Sequence, residues 1–110
     1  MKKDKLYLHH ILECIDNIES YVPNGESDFF SSKLIQDAVI RNLEIVGEAT
    51  KHVSMDLRAH TPDVPWREMA GLRDVLIHNY FGVDNEIVWN VVKNELPLIE
   101  KKIANMLEDL

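Results

Sequence analysis

Residues 4–22 indicate the fold class, and they read DKLYLHHILECIDNIESYV. Their apolar side chains recur at spacings of three and four residues, which is the period of an amphipathic α-helix. This apolar stripe consists of Leu8, Ile11, Leu12, Ile15, Ile18 and Val22. Pro23-Asn24-Gly25 then predicts a turn, because a fixed φ is followed by a residue that adopts positive φ at little cost. The chain is therefore expected to begin with one helix and a short loop.

A long second helix is predicted after that loop. Ser27 or Asp28 can cap it by accepting a hydrogen bond from a free backbone N–H. No proline and only one glycine, Gly47, interrupt the sequence from there to about Leu57. The apolar positions of this segment extend beyond a single face, so we expect the helix to pack against neighbours on two sides.

A third helix follows the segment His60–Pro65, whose two prolines should end the second one. Pro65 suits the first turn of a new helix. The stripe of this third helix consists of Trp66, Met69, Leu72 and Leu76. The helix is expected to end near His78-Asn79, because asparagine tolerates a left-handed terminal conformation and Gly82 lies just beyond.

Asp84 can cap a fourth helix, which Pro97 should kink or restart. Its inner positions are Ile87, Val88, Val91, Val92, Leu96, Ile99, Ile103, Met106 and Leu110. The alternation of apolar and polar residues that is typical of strands is nowhere sustained. The sequence therefore predicts one all-α domain over residues 1–110, a four- to five-helix bundle that is mostly up-and-down.

The composition limits the classes of partner. The chain of 110 residues has 19 acidic and 12 basic side chains and a formal charge of −7, which argues against nucleic-acid binding by broad electrostatic attraction. Any such contact must be locally basic or supplied by a partner. The single cysteine, Cys14, cannot form an internal disulfide, and no apolar run is long enough for a signal peptide or membrane span. We therefore expect a cytoplasmic protein without membrane contact.

The run from Arg73 to Tyr80, RDVLIHNY, carries the candidate chemistry. His78 can exchange a proton near neutral pH, and the planar cation of Arg73 suits phosphate oxygens, so the pair suits phosphoryl chemistry. Residues five apart on a helix are rotated by roughly 140° from each other, so Arg73 and His78 do not share a face. Two copies of the run meeting at a two-fold axis could bring them together, which predicts a composite site in a homodimer. Tyr80 would return to roughly the Arg73 face if the helix continued.

Each of these residues also has an ordinary structural interpretation. Arg73 could be a surface residue paired with Glu68 or Asp74, His78 could cap a helix C-terminus, and Tyr80 could be a core aromatic. Glu48 could orient the run by bonding to Arg73 or His78, or it could be a plain surface carboxylate.

Other residues are assigned structural roles. Gly47 is expected to permit close helix packing, since a glycine inside a helix costs about 1 kcal/mol relative to alanine. His9, His10, Glu13 and Cys14 invite a metal interpretation, which is rejected because a closed zinc site needs four ligands and Cys14 suits a buried position. His52 and His60 show no partner pattern. Trp66 and Trp89 are expected to be core or interface anchors.

The run from Arg73 to Tyr80 resembles the HEPN signature, in which an arginine is followed four to six residues later by a histidine, in the form with a tyrosine two residues further on. Residues 36–49, QDAVIRNLEIVGEA, the pair Pro65-Trp66 and the chain length are similar to the HepT-like toxin branch of that family. The similarity spans nearly the whole chain.

This resemblance implies a dimeric endoribonuclease that needs no metal or other cofactor and acts as the toxin of a toxin–antitoxin pair. Arg73 and His78 would be catalytic, with Asp74 and Glu48 in support. The antitoxin would be an MNT-type minimal nucleotidyltransferase that silences the toxin by transferring AMP to Tyr80. The expected partners are thus a second copy, this antitoxin and RNA, but not DNA. The alternative is a non-catalytic helical adaptor that binds a nucleotidyltransferase, consistent with the acidic charge and the wide apolar surface of the second helix.

Overall fold

The computed structural model describes residues 2–78 and 82–110, and every described element is helical. The elements are α1 (Lys2–Tyr21), α2 (Glu26–Phe30), α3 (Lys33–His52), α4 (Met55–His60), α5 (Trp66–His78), α6 (Asn85–Asn90), a π-helix (Val91–Glu95) and α7 (Leu96–Asp109). The last three form one continuous helical run, so four long helical elements and two short ones make up the bundle. The all-α prediction is confirmed. No helix in the described ranges has both the length and the apolarity needed to cross a membrane.

Helix α3 lies at the centre of the bundle and packs against α1 on one side and α5 on another, as its wide apolar surface predicted. The fully buried side chains come chiefly from α1 and α3, and α7 closes the core against α1. They include Leu8, Ile11, Ile15, Ile18, Val39, Leu43, Val46 and Ile103. Trp66 is buried and Trp89 stacks on Phe29 at 5.5 Å, so both tryptophans belong to the core.

The predicted long second helix is wrong, because this segment forms three helices. Ser31 is the C-cap of α2. Ser32 caps α3, its hydroxyl accepting a hydrogen bond from the backbone N–H of Ile35. Ser54 caps α4 in the same way. Serine hydroxyls compete with the helical backbone for hydrogen bonds, so they divide a run that contains no proline. Neither Ser27 nor Asp28 caps α2, which instead begins after Gly25, a residue with φ of 78°.

The C-terminal end of α3 is fixed by two polar anchors. The guanidinium of Arg58 donates to the carbonyl oxygens of Thr50, Lys51 and Val53, at the end of α3, where helical carbonyls lose their usual backbone partners. The buried carboxylate of Asp4 accepts from both the N–H and the hydroxyl of Ser54. These bonds hold the junction of α3 and α4 against the start of α1, next to the end of α3 that carries part of the candidate site.

Gly47 brings α3 and α5 into close contact, as the sequence predicted. A Cβ atom at this position would lie 2.6 Å from Cβ of Arg73 and 3.0 Å from its backbone nitrogen. Distances below about 3 Å between carbon atoms are repulsive, so only glycine fits without moving α5. The close approach places Arg73 directly against α3.

In the last helical run, Asp84 and Pro97 have the positions that the sequence predicted for them. The carboxylate of Asp84 caps α6 by accepting from the N–H of Glu86 at 2.9 Å. Pro97 lies in the first turn of α7, and the π-helix immediately precedes that turn. Proline has no N–H to donate and its ring crowds the preceding turn, so the chain restarts its helix there.

Candidate functional site

Arg73 projects from α5 towards the last turn of α3, where Glu48 meets it. Its Nε lies 2.9 Å from Oε2 of Glu48, and Nη1 donates to Oδ1 of the neighbouring Asp74 at 3.4 Å. About a third of the Arg73 side chain stays exposed. Of the two interpretations of Glu48, the structure has the contact with Arg73, and the surface pairing of Arg73 with Asp74 is present as well. The guanidinium is thus anchored along one edge and open to solvent along another.

Asp74, next to Arg73 on α5, is linked to α3 through a second cation, Lys51. Nζ of Lys51 donates to Oδ1 of Asp74 at 2.9 Å. This hydrogen bond, with the charges of Lys51 and Arg73, lowers the pKa of the Asp74 carboxyl below its ordinary value. Asp74 therefore remains an anion at neutral pH and acts as a partner for the two cations rather than as a proton donor.

His52 belongs to the same group of side chains, and the sequence analysis did not identify it as a member. Its Nε2 lies 3.4 Å from Oε1 of Glu48, one helical turn earlier on α3. Its ring also stacks on Tyr7 of α1, with centroids 4.9 Å apart and an interplanar angle of 17°. The spacing of four residues between Glu48 and His52 was the available signal, because residues at this spacing are neighbours on a helix surface.

These side chains line a cleft of about 400 Å³ between α1, α3 and α5. Its walls include Tyr7 and His10 from α1, Arg41, Glu48 and His52 from α3, and Arg73 from α5. The cleft combines two cations, two histidines and an aromatic ring, and Glu48 lies between Arg73 and His52. Such a set of groups suits an anionic ligand that also carries a flat ring.

The C-terminal end of α5 carries His78, the second residue of the predicted pair. The backbone of α5 is helical through His78, so positions 73 and 78 are rotated by roughly 140° from each other, as the sequence predicted. The side chain of His78 lies outside the described part of the molecule, as do Asn79 and Tyr80. The meeting of Arg73 with His78 across a dimer therefore stays a prediction.

One group of possible metal ligands occurs among the described residues, and it lies outside the cleft. Carboxylate oxygens of Asp16, Glu19 and Glu100 lie within 4.8 Å of one another. Burial, followed by the charges of Glu19 and Asp16, raises the pKa of Glu100 to about 7. The cysteine considered in the rejected metal site, Cys14, is buried among apolar neighbours, and this burial raises the pKa of its thiol.

The family of the chain follows from comparison with known proteins. Residues 11–106 match the model of the family described as "Ribonuclease HepT-like". The chain is 43% identical over 106 residues to "Probable ribonuclease HepT" of Thermococcus cleftensis, covering 96% of each protein. It is 42% identical over 104 residues to "Putative RNase MJ1380" of Methanocaldococcus jannaschii, covering 93% of this chain and 95% of that protein.

A further relative is larger. The chain is 49% identical over 112 residues to "Gamma-glutamylcyclotransferase and putative RNase MJ0434" of Methanocaldococcus jannaschii, a match that covers all of this chain and spans half of that protein's length. No solved structure is a significant match. The family match spans nearly all of the helical bundle, including the cleft residues on α3 and α5, and the chain therefore belongs to the HepT-like ribonuclease family.

Proposed function

We propose that this chain is the subunit of a metal-independent endoribonuclease that acts as a homodimer, with Arg73 of one chain and His78 of the other at each scissile phosphodiester. The observation that carries the proposal is the anchored yet open guanidinium of Arg73. Glu48 lies 2.9 Å from its Nε, while about a third of the side chain stays exposed and Arg73 lines the cleft. A cation fixed in this way is oriented before the phosphate arrives, which is the arrangement that stabilises developing charge most effectively.

The reaction that suits these groups is transesterification at phosphorus. The imidazole of His78 accepts the proton of the ribose 2′-OH, the 2′-oxygen forms a bond to phosphorus, and the bond from phosphorus to the 5′-oxygen breaks. The leaving 5′-oxygen takes a proton from the imidazolium or from water. Arg73 stabilises the negative charge on the pentacoordinate phosphorus group. The products are a 2′,3′-cyclic phosphate and a free 5′-hydroxyl.

The test of this activity is cleavage of RNA by the purified protein in the presence of EDTA. Arg73→Ala and His78→Ala should each lower the cleavage rate by about 10²- to 10³-fold, the range for loss of one group that stabilises a transition state. Lys33→Ala is the matched control, because Lys33 forms only an exposed pair with Asp37. Cleavage by either site variant at the parent rate would refute the proposal.

The proposal extends to control by an antitoxin of the MNT nucleotidyltransferase type. In this scheme the Tyr80 phenolic oxygen attacks the α-phosphate of ATP, pyrophosphate leaves and AMP becomes attached. The added bulk and negative charge would repel RNA phosphate from the neighbouring cations. Intact mass should then rise in steps of one AMP with enzyme and ATP, and Tyr80→Phe should abolish the rise. Modification of another residue would refute this assignment.

A non-catalytic adaptor is the second candidate, and exposed apolar side chains favour it. Leu34 on α3 is 79% exposed and Ile87 on α6 is 62% exposed. Single exposed apolar residues are common, so this support is weaker than that for the site at Arg73. Cleavage of RNA by the isolated protein would exclude the adaptor as the sole role.

A further inference from the structure

The wall of the cleft beside Arg73 contains a pair of stacked rings that the proposed chemistry does not use. Tyr7 and His52 lie nearly parallel, with centroids 4.9 Å apart, and His10 meets the Tyr7 ring edge-on at 6.1 Å. Tyr7 is partly buried against the core, whereas about half of the His52 side chain is exposed. His52 lines the cleft and one face of its imidazole rests on Tyr7, so the opposite face is the one left for a flat ligand.

Glu48 lies between the ring of His52 and the guanidinium of Arg73, the cation proposed to bind phosphate. Its Oε1 lies 3.4 Å from Nε2 of His52 and its Oε2 lies 2.9 Å from Nε of Arg73. The imidazole and the guanidinium are therefore held on the two oxygens of one carboxylate. A phosphate and the base attached through its neighbouring sugar are also close but distinct groups, so one nucleotide can contact both side chains.

The charged side chains of the cleft allow an uncharged nucleobase ring to bind there. Glu48 is paired with Arg73 and His52, and Glu44 faces Arg41 at 3.7 Å. Stacking on an aromatic ring needs no net positive charge, because every base has a π face. A stacking contact would therefore add affinity that a chain of charge −7 cannot supply by broad electrostatic attraction.

We propose that this cleft is a nucleobase subsite, in which the base next to the phosphate held by Arg73 stacks on His52, with Tyr7 supporting the imidazole from behind. This inference rests on the proposed ribonuclease function. Stacking tolerates all four bases, so the subsite positions the strand rather than selecting a sequence. His52 acts here through its flat ring and not through its proton.

The experiment pairs changes in the protein with changes in the RNA. The probes are short single-stranded RNAs of mixed sequence, one intact and the others each lacking the base at one position. Both Kd and kcat/KM are measured in EDTA for the parent, His52→Ala and His52→Phe. His52→Ala should weaken binding and kcat/KM for intact RNA by about 5- to 100-fold, the range for loss of one stacked base. His52→Phe keeps a flat ring and should stay within about threefold of the parent.

The RNAs without a base supply the decisive control. One of these abasic RNAs should bind the parent more weakly than intact RNA does. His52→Ala should not lower the affinity for that RNA further, because the base that would stack on His52 is already missing. The loss of affinity from intact to abasic RNA is compared between the two proteins. If this loss is the same for His52→Ala as for the parent at every position, the base does not contact this ring and the proposal is wrong. If His52→Phe is as impaired as His52→Ala, the imidazole acts through its proton and the stacking role is also overturned.

Two further variants distinguish a failure of the nucleobase subsite from a failure of the proposed ribonuclease function. His60→Ala removes another exposed histidine, on α4, and should behave as the parent does. If Arg73→Ala cleaves at the parent rate, the ribonuclease proposal fails whatever His52 does. If Arg73→Ala is inactive while His52→Ala binds and cleaves intact RNA at parent levels, only the nucleobase subsite fails.

Discussion

Carboxylates in two parts of the described structure differ in the charges that surround them. In the cleft, Glu48 lies between Arg73 and His52. Between α1 and α7, by contrast, Glu100 lies against Asp16 and Glu19, and burial together with these like charges raises its pKa to about 7. The first arrangement places each negative charge beside a cation, and the second accumulates repulsion.

This contrast is consistent with the proposed phosphate site on an acidic chain. Part of the net charge of −7 lies in the acidic group at α1 and α7, whereas the carboxylates of the cleft are paired. Interactions between exposed charges are screened beyond about 10 Å at ordinary salt, so an anionic ligand responds mainly to its immediate surroundings. The net charge argues against broad electrostatic attraction of nucleic acid, and it leaves open a local site built on Arg73.

The largest expected effect comes from filling the space that Gly47 leaves. Gly47→Ala places a Cβ 2.6 Å from Cβ of Arg73, so α5 must shift away from α3. We expect unfolding free energy to fall by about 1–3 kcal/mol, the cost of overpacking a close contact. RNA cleavage should also fall, because Arg73 moves away from Glu48. Urea denaturation and a cleavage assay measure the two losses.

Gly71→Ala is the matched control on the neighbouring helix. Nothing lies within 4 Å of a Cβ at Gly71, and alanine favours a helix over glycine by up to about 1 kcal/mol. This variant should be as stable as the parent or slightly more stable. Equal stability of the two alanine variants would contradict the account of how α3 and α5 meet.

A smaller effect is expected when Glu48 loses its charge. Glu48→Gln keeps the shape of the side chain but removes the anion that holds Arg73 and His52. The value of kcat/KM for RNA should fall about tenfold, which corresponds to about 1.4 kcal/mol of transition-state stabilisation. Asp37→Asn removes a carboxylate from the exposed pair with Lys33 on the same helix and should leave cleavage unchanged. Similar rates for the two variants would show that the anchor is unimportant.

The smallest effect concerns the acidic group and its pH dependence. The folded pKa of Glu100, about 7, lies above its ordinary value of 4.5, so the native state binds more protons than the unfolded chain between these values. Stability should therefore fall as pH rises from 4.5 to 7 and then level off. Glu100→Gln should flatten this dependence and raise the unfolding free energy above pH 7 by about 1 kcal/mol at most, since solvent screens the charges. A Glu100→Gln profile parallel to the parent's would contradict this account.

The sequence predicted the elements that depend on local periodicity, and it failed where side chains compete with the backbone. The stripes beginning at Leu8 and at Trp66 correctly placed α1 and α5. The two breaks after Phe30 and His52 were missed, because a serine that caps a helix cannot be distinguished by composition from one within it. Pro97 was identified as a restart, but a π-helix before it leaves no separate signal in the residue pattern.

The candidate site was predicted in part for a similar reason. Arg73, Asp74 and Glu48 were identified, and the structure brings them together. His52 and Tyr7 were not, because their contact depends on the packing of α1 against the end of α3, which pairs residues 45 positions apart. Spacing within one helix could have suggested the pair Glu48 and His52 but not the ring beneath it.

The central claim, that Arg73 and His78 of different chains form one site, is tested most directly by mixing two inactive variants. Arg73→Ala and His78→Ala chains, separately tagged and co-expressed, should form mixed dimers in which one of the two sites contains both native residues. About half of random dimers are mixed and half of their sites are intact, so cleavage should recover to about a quarter of the parent rate. A mixture no more active than either variant alone, or a protein that stays monomeric, would contradict the account.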